Sequence, residues 1–236
     1  MNPILMYHYV ADSPVPGTHP PLTVPPHEFD EQLAALNARG FTSVLSDEYS
    51  RRLQAADHGN TVWITFDDGR IDNLDVALPH LVAAGHRATF FVIAGRSLGN
   101  EPGFVPLSGL REMLAAGMEI GSHTMTHPRL ARLPVEQARR EIADSRERLE
   151  DALQVPVRAF CHPFGNWNAA TVDIVREAGY ELATSTIRDN RNAEADRWTL
   201  RRIMVQPGRT GWRFRYALSP AYHLLHAFKN RRRWTR

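Results

Sequence analysis

Two short stretches of this 236-residue chain carry most of its potential chemistry. Thr65-Phe66-Asp67-Asp68-Gly69 sets two adjacent carboxylates directly after an apolar run. A buried carboxylate is costly without a partner. Neighbouring residues on an extended segment point different ways, so one aspartate can hold a cation while the other handles protons. Asp-Gly is equally the chemistry of a plain turn. The second stretch, Ser122-His123-Thr124-Met125-Thr126-His127-Pro128, places two histidines four residues apart. On a helical turn that spacing puts both imidazoles on one face, where they can share a cation. Two unrelated surface histidines would look the same. Two histidines and one carboxylate form a known ligand set for catalytic zinc, with positions left for water and substrate. The set also suits other divalent metals.

The elements around these residues alternate. Strands are predicted over 4–7, 41–45, 62–66, 88–94, 118–121, 157–160, 180–184 and 200–205. Helical spacing falls between them: 29–36 ending at Gly40, 74–82 ending at Gly85, 110–116 ending at Gly117, 134–153, and 169–178 ending at Gly179. Ser46 and Asp47 are placed to cap a further helix, and a Pro-rich loop is expected over 13–26. This alternation argues an α/β fold with a largely parallel sheet, and about seven units suggest a closed (β/α) barrel. The polar candidates follow strand runs, where barrel active sites gather.

Taken together, TFDDG and SHTMTHP resemble the first two motifs of the polysaccharide deacetylase family, also called NodB-homology or carbohydrate esterase 4. The resemblance runs from about Ile4 to Val205. It implies a deformed α/β barrel that removes N-acetyl groups from amino sugars. By motif position, Asp68, His123 and His127 would ligate a divalent metal, with zinc first and cobalt, nickel or manganese as alternatives. Asp67 would be the general base. Phe160-Cys161-His162-Pro163-Phe164-Gly165 resembles the third motif, and the backbone N–H of Phe164 would help form an oxyanion hole. The family's arginine is missing there, with Cys161 in its place. Arg202 is the candidate substitute partner for Asp67, against a plain barrel-surface arginine. Cys161 itself reads as a packing residue.

The family's usual histidine motif near the C-terminus has no good match. Leu225-His226 lacks the spacing. Met6-Tyr7-His8 instead resembles a permuted branch of poly-N-acetylglucosamine deacetylases, in which a histidine near the start acts as general acid. The resemblance implies that role for His8, which a barrel permits because its first and last strands are neighbours, the alternative being a buried structural histidine. His162, Pro163, Gly165 and Trp167 are the candidate substrate-binding residues, with Asn166 beside them. Trp198, near Asp196, is a poor match to a fourth motif. His19, His27, His58, His80 and His86 show no ligand spacing and read as surface or incidental residues. A non-catalytic glycan-binding protein, or a deformylase or O-acetyl esterase on the same scaffold, are the alternatives to an N-deacetylase.

A formal net charge of +2 is too mild to argue nucleic-acid binding. Lys229, Arg231, Arg232, Arg233 and Arg236 concentrate the basic excess at the C-terminus. The domain is drawn over 1–210, followed by a basic aromatic segment over 211–236. There Trp212, Phe214, Tyr216, Ala217, Leu224, Leu225, Ala227 and Phe228 sit among cations. That segment is either a helix closing the barrel or an interfacial element touching anionic lipid. One cysteine rules out an intramolecular disulfide. The opening MNPILMYHYVADSP shows no signal-peptide pattern, and no apolar run approaches the ~18 residues of a membrane span. The expectation is a cytoplasmic protein, peripheral at most at the inner membrane face, acting on a polymeric or lipid-linked N-acetylated sugar.

Overall fold

The computed structural model describes residues 2–14, 22–57 and 59–231. The side chains of Phe228 and Arg231, together with His19, His58, Arg232, Arg233 and Arg236, lie outside the described residues.

The barrel strands are β1 (Ile4–Tyr7), β5 (Thr61–Phe66), β6 (Ala88–Val92), β7 (Glu119–Ser122), β8 (Ala159–Cys161), β9 (Leu182–Arg188) and β10 (Leu200–Met204). All pair in parallel. Closure comes from β1, which pairs with β10 on one side (Leu5↔Ile203) and with β5 on the other (Ile4↔Trp63 to Tyr7↔Phe66). Full closure leaves no open edge. The strand expected over 41–45 shrinks to β4 (Thr42–Ser43), which flanks the start of β5. Two short strands, β2 (Tyr9–Val10) and β3 (Thr23–Val24), pair outside the barrel and were not foreseen.

Helices α1 (Pro26–Ala38), α2 (Ser46–Gln54), α3 (Leu78–Ala84), α4 (Ala94–Leu98), α5 (Leu107–Ala115), α6 (Val135–Leu153) and α7 (Ala169–Glu177) fill the crossovers. The five-residue α4 escaped prediction because it is too short to show periodicity. A wide π-turn over Asn73–Ala77 precedes α3. Pro79 cannot donate back to the preceding turn, and the wider turn accommodates that loss.

Both faces of the sheet are buried, so its strands read as continuous apolar runs, and all six residues of β5 are buried. Alternation then sorts the side chains. Ile4, Trp63, Phe91, Cys161, Leu182 and Leu200 pack together in one cluster, while Leu5, Ile64, Phe66, Phe90 and Ile203 belong to the larger core that includes the helices. Gly121 makes room for the first cluster, since a Cβ there would lie 2.6 Å from the Phe91 ring.

Ser46 does not cap α2; Leu45 stands at the cap position. Ser46 instead gives its N–H (3.0 Å) and its hydroxyl to the buried Glu119 carboxylate, which also accepts from Thr89 Oγ1 at 2.5 Å. Burial pushes the Glu119 carboxyl up, against these hydrogen bonds.

After the barrel come α8 (Gly211–Ala217) and α9 (Pro220–Arg231). Phe214, Ala217, Leu218 and Tyr222 join the core between barrel and helices. Asn190 Nδ2 ties this turn down by donating to the carbonyls of Ala217 (2.9 Å) and Ser219 (2.7 Å). Trp212 is 67% exposed and Leu224 73%. Among the described residues, no helix is long and apolar enough to cross a membrane.

Candidate active site

The carboxyl ends of the strands bring the candidates together. Asp68 Oδ1 lies 3.5 Å from His123 Nε2 and 3.4 Å from His127 Nε2, and the two ring nitrogens are 3.2 Å apart. Donors ~2.0–2.1 Å from a tetrahedral ion stand ~3.3–3.4 Å from one another. The triad therefore has the span of one face of such a tetrahedron. His123 Nδ1 sits 2.7 Å from the Cys161 carbonyl oxygen. A carbonyl only accepts, so Nδ1 carries the proton and Nε2 faces Asp68 with its lone pair free. Burial, with His123 alongside, pushes the His127 imidazole down to about 4 although Asp68 opposes it. His127 is thus presented as a neutral donor.

The histidines do not share a helical face, contrary to the sequence expectation. His123 follows β7 directly, and the segment continues as an irregular loop. Its shape comes from left-handed backbone at Thr124 (φ 69) and His127 (φ 66). Thr124 Oγ1 accepts the His127 N–H at 2.9 Å, and Glu141 on α6 accepts from the Thr126 N–H (2.9 Å) and hydroxyl (2.6 Å). Gly95 lets the loop approach, because a Cβ there would lie 2.6 Å from the Met125 carbonyl oxygen. Asp68 (φ 77) and Phe164 (φ 58) are also left-handed. Such conformations cost energy in non-glycine residues and persist where the surroundings over-determine them.

Asp67 is turned the other way, into the barrel. Its Oδ1 and Oδ2 each accept from Arg202, at 2.7 Å and 2.7 Å. Arg202 is fully buried and also donates to Ser185 O (2.9 Å), Thr65 Oγ1 (3.1 Å) and Cys161 Sγ (3.2 Å). A register irregularity frees the Ser185 carbonyl: β9 advances from Thr184 to Arg188 while β10 advances only from Leu200 to Arg202. Burial alone would raise the Asp67 carboxyl. The Arg202 guanidinium outweighs it, helped by His8 and His123, and holds the carboxyl well below the usual carboxylate range. His8 Nε2 lies 3.9 Å from Asp67 Oδ2. Burial pushes the Cys161 thiol up, so it is a packing group rather than a nucleophile.

The turn after β8 exposes the Phe164 ring (49%) against His127, with ring centroids 4.5 Å apart. The expected substrate rim is partly corrected here. His162 is fully buried, with Nε2 3.1 Å from the Trp198 carbonyl, and Pro163 is buried too. Both lie on the packed side of a tight turn, and only Gly165 and Trp167 keep partial exposure. Asn166 Oδ1 accepts the Ala131 N–H at 3.0 Å, which joins this turn to the segment after His127. Of the other histidines, His27 is exposed, His80 meets Asp30, and His86 proves buried in the turn between α3 and β6. Tyr9 escaped the sequence reading, although its place next to His8 was a signal. Its hydroxyl donates to Asp68 Oδ2 at 3.4 Å. Arg129 was also missed, and its guanidinium lies 4.3 Å from the Phe164 ring centroid.

The polysaccharide deacetylase family model matches residues 54–183. YxkH of Bacillus subtilis (strain 168), which bears a polysaccharide deacetylase name, is 31% identical over 214 residues, 90% of this chain and 74% of that protein. A chitooligosaccharide deacetylase of Bradyrhizobium sp. (strain ANU 289) is 34% identical over 125 residues, 50% of this chain and 52% of the relative. The structure of Streptococcus pyogenes deacetylase PplD in complex with acetate matches with a TM-score of 0.87 at 28% identity, covering 93% of this chain and 98% of PplD. IcaB from Ammonifex degensii matches with a TM-score of 0.76 at 26% identity, covering 92% and 97%. The chain belongs to the polysaccharide deacetylase family, with its NodB-type barrel. Its class of activity is accordingly hydrolytic deacetylation of a glycan.

Proposed function

We propose that the protein is a metal-dependent N-deacetylase of an amino sugar, with zinc at Asp68, His123 and His127. The observation that carries this is the triad's 3.2–3.5 Å spacing beside the buried Asp67–Arg202 pair. A divalent cation held there would lower the pKa of a coordinated water and polarise the amide carbonyl. Asp67 takes the proton as the water oxygen bonds to the acetyl carbon. Arg202 fixes the orientation of that carboxylate. The Phe164 N–H, at the left-handed turn, donates to the oxyanion. His8, which follows the neighbouring strand β1 at the same end of the barrel, gives a proton to the leaving nitrogen as the C–N bond breaks. The products are acetate and a free amine. Chitooligosaccharide deacetylases among the relatives support N-acetyl over O-acetyl chemistry.

The same reading places Trp212, Leu224 and Leu225, exposed beside Arg213 and Arg215, against an anionic membrane surface on the cytoplasmic side.

Acetate release from N-acetylated oligosaccharides, measured with metal content, tests the chemistry. Asp67→Asn should keep bound zinc and lose turnover by at least a hundredfold. Near wild-type activity in that variant would remove Asp67 as the base.

A further inference from the structure

A pocket of about 450 Å³ opens at the carboxyl end of β9 and β10. Arg188 at the end of β9, Arg209 after β10, Arg213 on α8 and Lys229 on α9 line it, with Trp212 and Tyr216. No carboxylate is part of the lining. Several cations elsewhere, among them Arg52, Arg139, Arg197 and Arg201, each hold a carboxylate. Among the described residues, Arg188, Arg209, Arg213 and Lys229 have none within ion-pair distance. The nearest acids are engaged. Buried Asp189 meets His223 Nδ1 (2.9 Å), and Glu28 accepts the Gly208 N–H (2.7 Å). Four like charges around one cavity repel, and an anion with several acceptor oxygens relieves that repulsion. Arginine forks match phosphate oxygens in pairs. Exposed Trp212, with the Arg213 guanidinium 5.7 Å from its ring, adds an apolar wall.

The pocket is fixed relative to His8. The Val205 N–H donates to the Met6 carbonyl at 3.0 Å, and Gln32 bridges the Tyr7 hydroxyl (2.9 Å) to the Arg209 carbonyl (3.0 Å).

We infer that this pocket receives a phosphoryl or pyrophosphoryl group carried by the amino-sugar substrate. The inference rests on the deacetylase reading for the sugar, but the anion site can be tested separately. Calorimetric titration with inorganic pyrophosphate should give saturable binding to the intact zinc-loaded protein. In Arg209→Gln/Arg213→Gln, with unchanged thermal unfolding, that binding should weaken at least tenfold, and Arg209→Lys/Arg213→Lys should recover part of it. Equal binding in wild type and the glutamine variant overturns the proposal.

A second arm compares kcat/KM for three N-acetylated substrates: a neutral oligosaccharide, a sugar 1-phosphate and a sugar linked through phosphate to a short polyisoprenol. Wild type should favour a phosphorylated substrate, and the glutamine variant should lower that preference at least tenfold. A preference confined to the polyisoprenol substrate assigns a lipid carrier. An equal preference for the sugar 1-phosphate assigns the phosphate alone. Preference for the neutral sugar overturns the proposal. Pyrophosphate binding without acetate from any substrate overturns the deacetylase reading while supporting the anion site.

Discussion

Arg202 reaches from β10 across the barrel to grip both oxygens of Asp67, at 2.7 Å each. Cys161 occupies the position where the family motif carries arginine, and its sulfur lies 3.2 Å from the same guanidinium. The counter-charge of Asp67 thus comes from β10 rather than from β8, with β9 between them. Removing it leaves a buried carboxylate unpaired, which costs about 3–5 kcal/mol. Arg202→Met should therefore lower stability by about that amount and reduce turnover at least a hundredfold. Cys161→Arg introduced into that variant should recover part of both. Urea unfolding and acetate release measure the two effects. Failure of Cys161→Arg to raise either one would refute the interchange.

The same pair sets the acid limb of stability. The folded-state carboxyl of Asp67 is depressed, because Arg202 outweighs burial. A depressed carboxyl contributes stability above its unfolded pKa of ~3.9 and loses it as pH falls towards the folded value. The contribution should be intact at neutral pH and decline below about pH 4. In Arg202→Met the burial remains without the counter-charge, so the carboxyl rises above its unfolded value and its contribution changes sign. The acid limb should flatten, with the variant's deficit against wild type shrinking as pH falls. Denaturation midpoints across pH 2–7 test this. An unchanged limb in the variant would show that other carboxylates govern acid unfolding.

The metal should also be a stability ligand. A ligand that binds only the folded state adds ~2.7 kcal/mol at a hundredfold excess over its Kd. Zinc should raise the Tm of chelator-treated protein, and Asp68→Asn or His123→Ala should remove most of that increment. His162→Gln should retain it, since the His162 ring is buried with Nε2 against the Trp198 carbonyl rather than beside Asp68. An equal zinc shift in wild type and Asp68→Asn would exclude the triad as the site.

Where chemistry repeats at fixed spacing, the sequence was legible. The Asp-Asp-Gly and His-x3-His stretches, the parallel alternation and the closure that places His8 near Asp67 could all be read from it. What escaped depends on backbone conformation and distant partners. The histidine pair looked helical because spacing alone cannot reveal left-handed φ at Thr124 and His127. Ser46 looked like a helix cap because its partner, Glu119, is 73 residues away. His162 looked like a substrate contact because motif position does not say which side of a tight turn a ring takes. Tyr9 was legible only by its place beside His8.

His8 should matter in proportion to how poor the leaving group is. An amine departs only when protonated, whereas an activated phenol leaves unaided. His8→Asn should therefore lower N-acetyl sugar hydrolysis by at least a hundredfold while largely sparing hydrolysis of an aryl acetate. Parallel kinetics on both substrates decide the matter. Equal losses would assign His8 to positioning Asp67, 3.9 Å away, rather than to proton donation.

Gly165 holds the turn that presents the Phe164 N–H. Its φ is 60°, and a Cβ there would lie 2.1 Å from Thr186 Oγ1 and 3.0 Å from the Thr186 backbone nitrogen. The backbone cannot yield as a flexible side-chain tip would, so Gly165→Ala must shift the turn and with it the N–H. Loss of one oxyanion donor typically costs about 10²–10³ in kcat. Gly165→Ala should show a kcat decrease of that order, with zinc content unchanged because the triad lies on other loops. Thr186→Gly added to it removes the obstructing hydroxyl and should restore part of kcat. A single variant with normal kcat would show that the Phe164 N–H does not act in the reaction. A lost zinc site in that variant would instead show that the turn acts by supporting His127, whose ring packs against Phe164 at 4.5 Å.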